Sequence, residues 1–77
     1  MTYDDAVKRW VATTYHLPLP EVEHVNFDVQ YAGDTATMHP TFQLEIDVHM
    51  TDHTQHLFVR KARDFGTIVE EVLALAS

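Results

Sequence analysis

Cysteine is absent from these 77 residues. That absence excludes a disulfide staple, a thiolate zinc site and a cysteine nucleophile. Small secreted domains commonly depend on disulfides, so a cytoplasmic setting is expected. Glycine and proline are scarce, at 2 and 3 residues, and no low-complexity run or internal repeat is visible, so the chain does not read as disordered. Positive charge is scarce as well. Five Lys and Arg stand against twelve Asp and Glu, for a net charge of −7. This balance disfavours non-specific attraction to nucleic acid or to an anionic membrane surface. Long hydrophobic runs are missing: the longest, VLALA at Val72–Ala76, is far too short to span a bilayer. The opening MTYDDAVKRW carries two acids and no apolar stretch, so a signal peptide is not expected. A glycine-rich phosphate loop is also lacking.

What is present suits one small domain over residues 1–77, with 45% hydrophobic and 22% charged residues. A chain of this length buries only about 60–65% of the surface its unfolded form exposes, so the core is small and margins are thin. The spacing predicts a helix over Thr2–Tyr15. Thr2 is placed to cap it, Asp4 and Asp5 lie at the positive end of its dipole, and Tyr3, Ala6, Val7, Trp10, Val11 and Thr14 share one face. The LPLP stretch stops it, because Pro18 disfavours helical geometry at Leu17 and Pro20 repeats the block. Tyr15 and Leu17 fall at the core or its rim. A second helix is predicted over Asp64–Ala76. Asp64 would be its N-cap, and Phe65, Ile68, Val69, Val72, Leu73 and Ala76 its apolar face.

Three strands lie between. In His24–Tyr31, Val25, Phe27, Val29 and Tyr31 alternate with His24, Asn26, Asp28 and Gln30. Gly33–Asp34 signals a turn inside the long Ala32–Pro40 connection, a place for a bulge or a contact surface. In Thr41–Met50, Phe42, Leu44, Ile46, Val48 and Met50 are expected to face the core. Thr41, Gln43, Glu45, Asp47 and His49 would face out. After a turn at Thr51–His53, the third strand, Thr54–Arg60, is expected to point Leu57 and Val59 in and His56, Phe58 and Arg60 out. The opposite register would bury Phe58 and His56.

The predicted order is α-β-β-β-α, an α+β fold. Two helices cover one face of a three-stranded antiparallel sheet in a two-layer sandwich, and the other face stays wet. That order resembles the double-stranded RNA-binding domain. HPTFQLEIDV, His39–Val48, is similar to that family's loop-and-strand segment. VRKARDFGTIVEEVLALA, Val59–Ala76, resembles its basic approach to the last helix. The resemblance implies a nucleic-acid-binding domain in which Arg60, Lys61 and Arg63 contact phosphates. The family's Gly-Pro pair has no counterpart, since Gly33 and Pro40 stand seven apart.

The charge points elsewhere. All five basic residues lie on or beside the helices, whereas the outer strand face carries Asp28, Glu45 and Asp47 with His24, His49 and His56. The favoured expectation is a small, non-catalytic, protein-binding domain that docks this acidic face on a basic partner. Asp28, Glu45, Asp47, His56 and Phe58 are its site residues, and Phe58 supplies an aromatic contact. In size and charge the chain is similar to phage-encoded inhibitors of host machinery. A homodimer through the edge of the third strand is a further expectation. The histidines raise a separate question. A hairpin closed by residues 50 and 53 sets His56 opposite Asp47; one closed by 51 and 54 sets it opposite His49. The pair His49 and His56 would then be a metal-ligand or pH-responsive candidate. No nucleophile, oxyanion nest or cofactor motif is visible, so neither catalysis nor a cofactor is expected.

Overall fold

A computed structural model describes residues 2–31 and 41–77. The turn expected at Gly33–Asp34, and the connection around it, lie outside the described residues. The chain runs α1 (Tyr3–Tyr15), β1 (Val22–Tyr31), β2 (Phe42–Met50), β3 (Gln55–Lys61) and α2 (Phe65–Ala76). Single 3₁₀ turns at Leu19–Glu21 and Ala62–Asp64 precede β1 and α2. This is the expected α-β-β-β-α order, with the helices on one face of the sheet. No helix among the described residues is long and apolar enough to cross a membrane.

The first helix forms for the reasons its sequence states. The Thr2 hydroxyl accepts from the Asp5 amide at 3.2 Å, satisfying one of the donors that a helix start leaves orphaned. Asp4 and Asp5 occupy the first turn. The helix ends at His16, which adopts a left-handed conformation (φ 57°, ψ 45°). There the amides of His16 and Leu17 both donate to the Ala12 carbonyl. Ala6, Val7, Trp10, Val11 and Ala12 are buried along its inner face, while Tyr3 and Thr14 at the ends of the expected stripe stay exposed.

The strands are ordered β1-β2-β3 and all pairs are antiparallel. Val25, Phe27 and Val29 oppose Val48, Ile46 and Leu44 on the covered face, as alternation predicts. The core joins Ala6, Val7, Trp10 and Val11 of α1, Val22 of β1, Leu44, Ile46, Val48 and Met50 of β2, and Ile68 and Val72 of α2. Beyond the reach of the helices, Val29, Tyr31 and Phe42 remain open on the same face.

The third strand reverses the expectation. Phe58 opposes Ile46, His56 opposes Val48 and Arg60 opposes Leu44, so these three lie on the covered face. Leu57 and Val59 lie on the open face, 57% and 51% exposed. The cause is the length of the hairpin loop. Met50 pairs with Thr54: the Met50 amide donates to the Thr54 carbonyl at 2.8 Å and the His53 amide to the Met50 carbonyl at 3.1 Å. Three residues, Thr51–His53, therefore make the turn, with His53 at φ 70° in the bulge position usually held by glycine. Both two-residue closures are excluded. One extra loop residue turns every side chain of β3 over. Phe58 then finds its place: its ring stacks on Tyr15 at 3.8 Å and 6°.

The second helix also departs in part. Asp64 stands at the N-cap position but makes no side-chain cap bond; its carboxylate instead accepts from Arg60 Nε at 3.4 Å. Ile68 and Val72 are fully buried and Val69 and Ala76 half-buried, while Phe65 and Leu73 are exposed. The helices are joined by Trp10 Nε1, which donates to Glu71 Oε2 at 2.6 Å.

Candidate functional site

The open face of the sheet is a rectangle three strands wide. His24, Asn26, Asp28 and Gln30 project from β1, Gln43, Glu45, Asp47 and His49 from β2, and Gln55, Leu57, Val59 and Lys61 from β3. Asp28, Glu45 and Asp47 are brought together here as expected. Asp28 stands directly opposite Glu45, and Asp47 sits two residues along β2. Two like charges paired across strands repel one another and weaken the sheet rather than strengthen it. Asp28 accepts from the Gln30 side chain.

Asp47 is held more firmly. Its Oδ1 accepts from Gln55 Nε2 at 2.6 Å, and its Oδ2 lies 3.1 Å from His49 Nε2. Its carboxylate thus bridges β2 and β3 in a fixed orientation. On the far side, the His49 ring faces His24 of β1, with centroids 5.9 Å apart.

Two of the expected site residues are elsewhere. His56 and Phe58 lie under the helices, where their rings stack on each other at 6.1 Å and 16°. They take no part in the acidic face, and His56 cannot meet either Asp47 or His49. The His49–His56 pair therefore does not form; the two imidazoles are on opposite sides of the sheet. Among the described residues, no group of three or more His, Cys, Asp or Glu side chains could hold a metal ion. Leu57 and Val59 take the place of Phe58. Both were in plain view as aliphatics of an alternating strand, and only the loop count assigns their face.

Arg60, Lys61 and Arg63 do gather, at the end of β3 and the turn after it. Arg60 points beneath the helices. Its guanidinium donates to the Tyr15 hydroxyl at 3.5 Å and to Asp64, and the Tyr15 bond first, then Asp64, raises its already high pKa. Lys61 and Arg63 are exposed. In the hairpin loop the Asp52 carboxylate accepts from the Thr54 amide at 2.9 Å, and its bonds to Thr54 hold its pKa below the usual value.

Comparison of the chain with protein-family models, with curated proteins and with solved structures gives no match.

Proposed function

We propose that this is a non-catalytic protein-binding domain that docks its open sheet face on a basic, partly apolar surface of another protein. The observation that supports this reading is the juxtaposition on one face of the acids Asp28, Glu45 and Asp47 with the exposed Leu57 and Val59. Each half has a role in recognition. The paired Asp28 and Glu45 are unfavourable in the free protein and favourable once a cation stands over them. Leu57 and Val59 supply apolar area beside the charges, the arrangement of an interface core with a polar rim. Asp47, fixed by Gln55 and His49, presents its charge without further ordering cost. A chain without cysteine suits a reducing compartment, and the cytoplasm is the setting proposed.

The test uses two immobilised proteins, the wild type and an Asp28→Lys, Leu57→Asp double variant, each shown to be folded by near-ultraviolet circular dichroism. A partner retained by the wild type and lost by the variant, with an association rate that falls as salt is added, supports the reading. Equal retention by both proteins overturns it.

A further inference from the structure

At the end of the β2 and β3 strands, sharing Val59 and Lys61 with the docking face, lies a groove. Phe42 at the start of β2, Val59, Arg60 and Lys61 at the end of β3, and Ala62 and Arg63 in the following turn line this open groove of about 550 Å³. That volume falls within the range of small-ligand sites. Its lining is partly apolar: Phe42 on the covered face and Val59 on the open face, both 51% exposed, border it from opposite sides of the sheet end. Its charge is anomalous for this protein. Three of the five cations in a chain of net charge −7 line it. Arg60 is engaged by Tyr15 and Asp64 and forms a wall. Lys61 and Arg63 are exposed, and neither makes an ion pair among the described residues.

We propose that this groove binds a small amphipathic monoanion, a single carboxylate carried on an aliphatic or aromatic tail. The tail covers Phe42, Val59, Ala62 and the methylene stems of Lys61 and Arg63, which lie along apolar surface as long cationic side chains do. The carboxylate accepts from Lys61 Nζ and the Arg63 guanidinium in charge-assisted bonds. Glu45 fixes the charge of the ligand at one. It opposes Val59 on the open face, beside the groove, and would repel a second negative group.

The probe is decanoate, kept below its micelle-forming concentration and titrated into isotope-labelled protein observed by amide NMR. Saturable shifts confined to residues 41–43 and 59–63 are expected, with decanol and decyltrimethylammonium binding more weakly. The Lys61→Gln, Arg63→Gln double variant should bind decanoate about tenfold more weakly. The Lys8→Gln, Arg9→Gln variant, which removes the two cations of α1, should bind it unchanged. Equal affinity for decanol, shifts centred on Phe65 and Leu73, or an unaltered affinity in the Lys61 and Arg63 variant would overturn the proposal. So would displacement of decanoate by duplex RNA, which would reassign the same cations to phosphate contacts.

Discussion

Phe58 and Leu57 are neighbours in sequence with opposite fates. Phe58 stacks on Tyr15 against the core, whereas Leu57 is open to solvent. Phe58→Ala should therefore cost about 2–3 kcal/mol in urea unfolding, the lower part of the range for losing a core phenylalanine because its burial is partial. Leu57→Ala should change stability by less than about 0.5 kcal/mol. Reversed magnitudes would disprove the register of β3. The histidines resolve individually at this scale. His16 and His53 occupy left-handed positions that non-glycine residues enter at a cost, though His does so more readily than most. His53→Gly should accordingly raise the urea midpoint, by about 0.5–1 kcal/mol of stability. In the same loop Asp52 couples stability to pH. Its bonds to Thr54 hold its folded pKa below the usual carboxylate value, so its contribution is complete above the unfolded value and is lost as pH falls through the folded one. Asp52→Asn should lower the thermal midpoint slightly at neutral pH and leave it unchanged below the folded pKa, which flattens the acid limb; an unaltered acid limb would remove Asp52 from the account.

At the scale of elements, the helix–helix contact is the most exposed to a single change. Trp10 is 4% exposed, and its indole N–H is served by Glu71 alone among the described residues. Glu71→Ala leaves that donor without its partner, so a loss of about 1–3 kcal/mol is expected, read by chemical denaturation, with a shift in tryptophan emission. Glu71→Gln should restore most of it. The elements themselves were legible in the sequence, because each has its own signal. A threonine cap opens α1, prolines close it, and strict alternation marks β1 and β2. What could not be read was the face of β3. Its alternation, HLFVR, is apolar on both parities, and the choice rests on whether the loop has two residues or three. The usual mark of the three-residue loop is a glycine at the bulge, and here His53 stands there. The same parity moved His56 and Phe58 out of the candidate site and brought Leu57 and Val59 into it. The acids Asp28, Glu45 and Asp47 kept their places because β1 and β2 carry unambiguous patterns. α2 was read too generously for a related reason: its sequence is apolar on more than one side, and only Ile68 and Val72 are buried in the core, with Ala76 packed against it.

For the whole molecule, charge is arranged against the free protein's own stability. Asp28 opposes Glu45 in a chain that already carries −7. Asp28→Asn with Glu45→Gln should stabilise the isolated domain by about 0.2–1 kcal/mol at low salt, and the gain should shrink toward zero near molar salt. A gain that persists at high salt would point to packing rather than repulsion. Connectivity has a consequence of a different kind. The first helix in the chain is secured by the last: Trp10 hydrogen-bonds to Glu71, sixty-one residues away, and Ile68 and Val72 close the core beside Val11. A ribosome that has released α1 and the whole sheet has therefore released no finished core. Until Val72 clears the exit tunnel, the nascent chain exposes its apolar face together with the two free edge strands. Emergence of α2 is the step that closes the core.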